Sequence, residues 1–171
     1  MHVVLYAPEI PQNTGNIART CAATRSDLYL IEPLGFELKD KYLKRAGLDY
    51  FSMVNITVLP SFEKLMDMFP NAQFHFASTK APCSYTAVTY GKDDFLVFGA
   101  ESKGLPESLL SRVYDRAIRI PMRSDARSLN LSNSVAIVLY EALRQQNFEG
   151  LSDEGHLTGR DDEVLPWMDY V

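Results

Sequence analysis

Cysteine is scarce in this chain of 171 residues, which contains only Cys21 and Cys83. The two thiols do not have the spacing of metal ligands. Cys21 also falls within a helical pattern, where a free cysteine behaves as a small apolar residue. We therefore expect both cysteines to be reduced residues in or near the core, with no part in the chemistry of the protein.

Long apolar runs are also absent. No run is long enough to cross a membrane, and the amino terminus lacks the basic-then-apolar pattern of a signal peptide. Hydrophobic residues make up 46% of the chain and charged residues 23%, which are ordinary values for a globular domain. We therefore expect a single soluble domain in the cytoplasm, with no association with membranes.

The chain lacks the net positive charge that would favour a polyanionic partner, since its formal net charge is −5. That charge lies in residues 151–171, which hold six acidic residues and one arginine, so residues 1–150 balance at 16 basic and 16 acidic. A neutral body can still carry a basic face. Cations cluster over residues 39–45 and again over residues 112–127. Ordinary solvated surface charge is the alternative interpretation.

Strand and helix patterns alternate along the chain, which is typical of an α/β protein. Short apolar runs predict six strands, at residues 3–7, 28–31, 55–59, 73–78, 95–99 and 117–120. Helices are predicted at about 15–23 and 41–48, from Ser61 to Pro70, and from near Pro106. The pattern predicts a mostly parallel six-stranded sheet with helices on both faces, over residues 1–151. Residues 152–171 form an acidic extension.

The segment 120–146 joins a polar loop to a very apolar helix. Residues 129–134 supply several possible helix caps. The run from Val135 to Tyr140 is apolar on every side of the predicted helix, and such a helix is expected to be buried. In a small protein this pattern indicates burial against a second subunit.

Three loops with unusual polar content follow predicted strands, at the edge where parallel sheets bind ligands. In the first loop, residues 11–19, Arg19 is a cation near the start of a helix, where the helix dipole makes it slightly unfavourable. This position indicates either a functional role for Arg19 or an exposed side chain that is tolerated there. In the second, residues 99–106, the lysine is misplaced for a phosphate loop. There, Gly99 permits close approach of a ligand beside Glu101, with an ordinary turn as the alternative. The third loop begins the segment 120–146.

Together, the three loops resemble the three motifs of SPOUT-class RNA 2′-O-methyltransferases. The motifs are Asn-Thr-Gly-Asn-Ile-x-Arg at 13–19, Phe-Gly-x-Glu-x-x-Gly-Leu-Pro at 98–106, and Ile-Pro-Met at 120–122 followed by Arg-Ser-Leu-Asn-Leu-Ser-Asn at 127–133. Residues 32–36 and 45–50 are similar to the corresponding segments of the subgroup that acts on the wobble nucleotide of tRNA. The resemblance covers about residues 3–151.

This resemblance implies S-adenosylmethionine-dependent 2′-O-methylation of the wobble cytidine or uridine in the tRNA anticodon loop. It also implies a homodimer and a deep trefoil knot in the carboxyl-terminal part of the domain. Neither in-line attack on the methyl group nor loss of the hydroxyl proton needs a metal, so none is expected. The alternatives are 2′-O-methylation of another RNA, such as ribosomal RNA, and a non-catalytic protein that binds cofactor and RNA.

The resemblance also assigns roles to individual residues. Arg19, Glu101 and Asn130 are expected at the catalytic site, with Arg19 positioning the target phosphate and polarising the 2′-oxygen rather than acting as a base. Residues expected to bind the methyl donor are Ala77, Gly99, Ile120 and Ser128, with Met122, Leu129 and Asn133 as weaker neighbours. Residues expected to bind RNA are Asn13, Lys44, Arg45, Arg127 and Tyr140, although a buried packing role for Tyr140 is the alternative.

Overall fold

A single parallel sheet organises the part of the chain that the computed structural model describes, which is residues 1–37, 53–152 and 154–156. Its strands are β1 (His2–Tyr6), β2 (Asp27–Ile31), β3 (Ile56–Leu59), β4 (Phe74–Ala77), β5 (Cys83–Ser84), β6 (Phe95–Phe98) and β7 (Ala117–Arg119). Their order is β3-β2-β1-β6-β4-β7-β5, and each strand pair is parallel. The predicted α/β class with a mostly parallel sheet is confirmed.

The described sheet has seven strands, whereas the sequence predicted six. The additional strand is β5, which pairs through Cys83 and Ser84 with Ile118 and Arg119 of β7. Both β5 residues are only half-buried, and two residues cannot show the alternating or continuous apolar pattern that marks a strand. The predicted count was therefore wrong because β5 is defined by its pairing with β7 and not by its own sequence.

The helices of the described segments start where the chain supplies a suitable first turn. They are α1 (Pro11–Thr24), α2 (Phe62–Met68), α3 (Glu107–Leu110) and α4 (Leu131–Gln145). α1 starts earlier than predicted because Pro11 occupies its first position, where a missing N–H costs nothing. None of these helices has the length and apolar character that crossing a bilayer would require. The predicted helix 41–48, with Lys44 and Arg45, lies outside the described residues.

Helices cover both faces of the sheet, as predicted. Alternate residues of β1 show the division, because Val3 and Leu5 belong to one buried cluster and Val4 to the other. The first cluster takes the buried sides of α1 and α4, which pack against each other. The second takes the buried residues of α2 and α3, including Leu65 and Leu110.

The apolar run in α4 is buried largely within its own chain. Six of its residues lie in the first cluster: Leu131, Val135, Val138, Leu139, Ala142 and Leu143. Ala136 and Ile137 are half-buried, and Tyr140 is 46% exposed. The chain itself therefore provides most of the burial expected for this run, and the second subunit stays a prediction.

The two cysteines are free and occupy the places that the sequence predicts. Cys21 is fully buried on α1, and burial raises the pKa of its thiol to about 12. A thiol with so high a pKa carries almost no thiolate at neutral pH and is a poor nucleophile. Cys83 is half-buried in β5.

The sheet changes the direction of its connections between β1 and β6, which are neighbours near its centre. The chain leaves β1 through α1 on one face and reaches β2 on one side of β1. It leaves β6 through α3 on the opposite face and reaches β7 on the other side. Loops diverge at such a reversal and leave a crevice at the carboxyl ends of the two strands.

Two neighbouring residues of α2 test the assignment of the second cluster. Leu65 is fully buried and Met66 is 38% exposed. We expect Leu65→Ala to lower the free energy of unfolding by about 2–5 kcal/mol, because it leaves a cavity. Met66→Ala should cost less than about 1 kcal/mol. Urea unfolding measures both, and equal losses would contradict the burial of Leu65.

Candidate active site

A cavity of about 540 Å³ opens at the carboxyl ends of β4, β6 and β7. Its lining includes six of the residues that were predicted to bind the methyl donor: Ala77, Gly99, Ile120, Met122, Ser128 and Leu129. It also includes Asn13, Glu101, Arg127 and Asn130 from the predicted catalytic and RNA-binding sets. The structure thus brings most of the predicted site residues together, while their individual roles stay predictions.

The cavity is formed by loops that are tied to the sheet. After β4, the backbone N–H of Ser78 donates to the carbonyl of Ile118 at 2.9 Å, which fixes this loop beside β7. The loop that follows β7 runs from residue 120 to 130 and is mostly exposed, with Leu129 40% exposed and Ile120 half-buried. The lining therefore combines apolar side chains with backbone donors and acceptors.

Gly99 is needed for contact within the loop itself. A Cβ atom at this position would lie 2.0 Å from the carbonyl carbon of Gly104 and 2.1 Å from the nitrogen of Leu105. The loop turns back because the N–H of Gly104 donates to the carbonyl of Ala100 at 2.7 Å, with Gly104 at a φ of +67°. The chain's own backbone therefore requires a glycine here, and the close approach of a ligand to Gly99 stays a prediction.

Glu101 is the centre of a hydrogen-bond chain at one end of the cavity. Its carboxylate accepts from the backbone N–H groups of Glu9 at 2.8 Å and Ile10 at 3.2 Å. It also accepts from the Nδ2 group of Asn13 at 2.9 Å. The Nδ2 group of Asn130 in turn donates to Oδ1 of Asn13 at 3.0 Å. This chain connects the loop after β6, the start of α1 and the start of α4.

Asn130 also fixes the first turn of α4. Its Oδ1 atom accepts from the backbone N–H groups of Ser132 at 3.0 Å and Asn133 at 3.3 Å, and from the hydroxyl of Ser132 at 2.7 Å. An asparagine at this position satisfies donors that have no partner within the helix. One side chain therefore joins the helix start to the cavity.

Glu9 is a residue of the site that the sequence reasoning missed. Its carboxylate accepts from the backbone N–H of Ser102 at 2.9 Å and from the Ser102 hydroxyl at 2.7 Å, and these hydrogen bonds lower the pKa of Glu9. Glu101 bonds in the opposite direction, to the backbone of Glu9 and Ile10. The only sequence signal was a carboxylate in each of two loops that follow strands, and it does not reveal that the loops meet.

Arg19 and Tyr140 lie outside the described lining of the cavity. Arg19 is exposed on α1, on a stripe with Gln12, Asn16 and Ala23. Tyr140 is exposed on α4, with its ring centroid 6.4 Å from that of Phe148. The alternative of a buried packing tyrosine was therefore wrong.

Several cations surround the cavity. Lys80, Lys103 and Arg127 line it, and Lys80 forms an ion pair with Glu107. Arg127 is exposed at the cavity mouth. In the described segments, no three His, Cys, Asp or Glu side chains are grouped so as to hold a metal ion.

The fold of the chain is similar to that of solved RNA methyltransferases. The sequence model of the SpoU rRNA methylase family matches residues 1–140. The chain belongs to this family, which confirms at the family level the resemblance that the three motifs carry.

Individual relatives and solved structures make the comparison more specific than the family match. A protein of Bacillus subtilis (strain 168), provisionally named a tRNA (cytidine(34)-2′-O)-methyltransferase, is 52% identical over 154 residues, covering 88% of this chain and 96% of that protein. A solved structure from work on "the 2-OH methylation of C/U34 on tRNA" is 45% identical with a TM-score of 0.82, covering 85% of this chain and 95% of that chain. An AdoMet-bound rRNA methyltransferase from Sinorhizobium meliloti is 26% identical with a TM-score of 0.75, and the match covers 84% of this chain and 55% of that chain.

Replacing the carboxylate of Glu101 tests the hydrogen-bond chain. In Glu101→Gln one acceptor oxygen becomes an NH₂ group, which faces N–H donors that it cannot satisfy. We expect faster amide hydrogen exchange at Glu9 and Ile10, whose backbone N–H groups donate to this carboxylate. Glu107→Gln is the matched control, because it removes an exposed ion pair of little energetic value. Unchanged exchange at Ile10 in Glu101→Gln would contradict the proposed connection.

Proposed function

We propose that this protein transfers a methyl group from S-adenosylmethionine to the ribose 2′-oxygen of the wobble nucleotide, cytidine or uridine, in tRNA. One observation carries the proposal: a single cavity unites the six predicted donor-binding residues with Glu101, Asn13 and Asn130. Names of close relatives support this activity and substrate. Such a substrate also implies a protein of the cytoplasm.

The cavity fits the methyl donor in size and chemistry. A volume of about 540 Å³ is within the usual range for sites that bind small molecules. Ile120 and Leu129 can enclose an adenine ring, while backbone groups near Ala77 can bind its polar edge. When bound, S-adenosylmethionine supplies an activated methyl group. A relative with AdoMet bound shares this fold and supports the assignment.

The protein's own residues then position the ribose. Glu101 holds Asn13 and the loop at Glu9 and Ile10, so that donors and acceptors near the target oxygen are already in place. Placing two reactants in register lowers the barrier by several kcal/mol. A cation near the 2′-oxygen stabilises the negative charge that develops as its proton leaves. We assign that role to Arg19, whose guanidinium stays protonated.

The position of Arg19 favours action across a homodimer. Arg19 is exposed on α1 and lies outside the described lining of its own cavity. Exposed apolar side chains occur at Ile10, Leu129 and Tyr140, close to α1, the cavity mouth and α4. A second chain that packs against α1 and α4 would cover these exposed apolar groups. We propose that two chains associate through this surface, so that Arg19 of one subunit serves the cavity of its partner.

The carboxyl-terminal part of the domain has contacts that support a trefoil knot. β7 lies between β4 and β5, and the N–H of Tyr85 donates to the carbonyl of Arg119 at 2.9 Å. Gln145 in α4 accepts from the N–H of Tyr90 at 3.1 Å and donates to the carbonyl of Val88 at 3.0 Å. We propose that the arc of residues 78–94 surrounds the segment from β7 to α4 within a domain of residues 1–151, with residues 152–171 as an acidic extension.

RNA contact in this proposal comes from cations around the cavity mouth. Arg127 and Lys103 line the cavity, and we include Lys44 and Arg45 on the basis of the sequence alone. Contacts of this kind bind phosphates without reading sequence, and their strength falls as salt rises. A single-stranded anticodon loop suits such a site because its nucleotides can be unstacked and turned outward.

The activity is tested with S-adenosylmethionine that carries a deuterated methyl group. The purified protein and tRNA from cells without this activity are incubated, and nucleosides are then analysed by mass spectrometry. We expect one deuterated 2′-O-methyl group at the wobble cytidine or uridine. Label in ribosomal RNA alone would favour the other RNA substrate. RNA binding without transfer at saturating cofactor would favour the non-catalytic alternative.

Arg19→Ala is expected to lower kcat about 100-fold or more, because it removes the stabilising charge, with cofactor affinity unchanged. Lys64→Ala removes an exposed cation of α2 on the opposite face and should retain activity. Mixing Arg19→Ala subunits with Asn130→Ala subunits then tests the dimer. If Arg19 acts on its partner, mixed dimers keep one intact site and the mixture recovers about a quarter of wild-type activity. A lack of activity in a mixture shown to contain mixed dimers would contradict action across the interface.

A further inference from the structure

A second cavity of about 490 Å³ lies beside the first, and the proposed reaction leaves it without a role. We propose that it binds one unstacked nucleobase of the RNA substrate while the ribose reacts at the first cavity. This inference rests on the proposed function. It concerns chiefly Tyr6, Pro33 and Leu34, together with Lys103, which lines both cavities.

The second cavity occupies the crevice between β1 and β6. Tyr6 is the last residue of β1, and Ala100 and Lys103 belong to the loop after β6. This is where connections leave the sheet toward opposite faces, and open α/β sheets bind their ligands at such a point. The first cavity lies to one side of it, at β4, β6 and β7. The fold therefore offers a binding place that the methyl donor does not occupy.

The walls of the second cavity are bonded to one another before any ligand arrives. The N–H of Gly35 donates to the carbonyl of Pro8 at 2.9 Å, and a Cβ atom at Gly35 would lie 2.8 Å from the Cα atom of Glu9. Glu9 is in turn bound to Ser102 by two hydrogen bonds. Three loops are thus held at fixed distances, so a ligand would not have to order them.

The residues that line the second cavity suit a nucleobase and the phosphate next to it. Tyr6, Pro33, Leu34 and Pro106 present apolar surface, against which a base can stack. Each carboxylate oxygen of Glu9 already accepts one hydrogen bond from Ser102, which uses part of its acceptor capacity. Lys103 supplies a positive charge for the adjoining phosphate. Stacking with few polar partners would accept cytidine and uridine alike.

The two cavities share a wall, since Ala100, Lys103 and Gly104 line both. An RNA strand that places its ribose beside Glu101 therefore passes directly over this wall. A base of the same nucleotide, or of its immediate neighbour, would then enter the second cavity. The base of the target nucleotide and the base of its neighbour present the same chemistry to the cavity, and the RNA used in the test distinguishes them.

The first arm of the test removes the aromatic wall. We expect Tyr6→Ala to raise the KM for tRNA about tenfold, as for loss of one stacked base, without changing the affinity for S-adenosylmethionine. Tyr6→Phe keeps the ring and should restore most of the RNA affinity. Met68→Ala, on an exposed part of α2, is the control for loss of a large side chain elsewhere. An unchanged KM in folded Tyr6→Ala would overturn the proposal.

The second arm removes the base. tRNA is assembled from two half-molecules with a single abasic nucleotide at the target position or at either neighbour. The effect of Tyr6→Ala should disappear for one of these RNAs, which identifies the base that enters the cavity. A tenfold effect that persists in all of them would contradict binding of any of these bases.

A crosslinking measurement on the wild-type chain does not depend on activity or on the folding of a variant. tRNA carrying 4-thiouridine at these positions is irradiated in the complex, and the attached peptides are identified by mass spectrometry. Crosslinks to Tyr6 or to residues 33–35 support the nucleobase site, even if no methyl transfer is detected and the proposed function fails. Crosslinks that occur exclusively elsewhere would overturn the site and leave the methylation result to stand by itself.

Discussion

The site depends on one carboxylate, that of Glu101, which accepts hydrogen bonds from two backbone N–H groups and from Asn13. These partners belong to the loop after β1 and the start of α1, whereas Glu101 follows β6. Asn13 transmits the connection to Asn130, which begins α4. A single charged group therefore fixes the relative positions of three segments that are distant in sequence. Hydrogen bonds to an ionised acceptor are stronger than those between neutral groups, which suits it to this role.

This arrangement follows from the order of the strands. β1 and β6 lie side by side, so the loops after them meet although about ninety residues separate Glu9 from Ser102 along the chain. Glu9 and Ser102 bind these loops in one direction, and Glu101 binds them in the other. The loop after β6 forms a wall between the first cavity and the second cavity, which lies in the crevice between β1 and β6. In our proposal, one reaction uses these two adjacent cavities, one for the cofactor and one for part of the RNA.

Patterns in the sequence were sufficient for the sheet class and for most of the cavity lining. The apolar run over residues 95–99 predicted a strand that the structure confirms as β6, and motif positions such as Ile120 and Ser128 proved to line one cavity. Features that depend on contact between distant segments could not be predicted. β5 exists through its pairing with β7, Gly99 is needed because Gly104 folds back on it, and the role of Glu9 requires a loop from the other half of the chain. The exposed position of Arg19 likewise depends on how α1 packs.

We propose that the hydrogen-bonded residues Glu101, Asn13 and Asn130 form the end of the first cavity at which methyl transfer occurs. A crystal structure with S-adenosylhomocysteine, the product left by the donor, tests it most directly. We predict that the adenine lies between the loop at Ala77 and the loop at 120–129, with the sulfur atom directed toward Asn130 and Glu101. A ligand in another cavity, or one whose sulfur points away from this hydrogen-bond chain, would contradict the account.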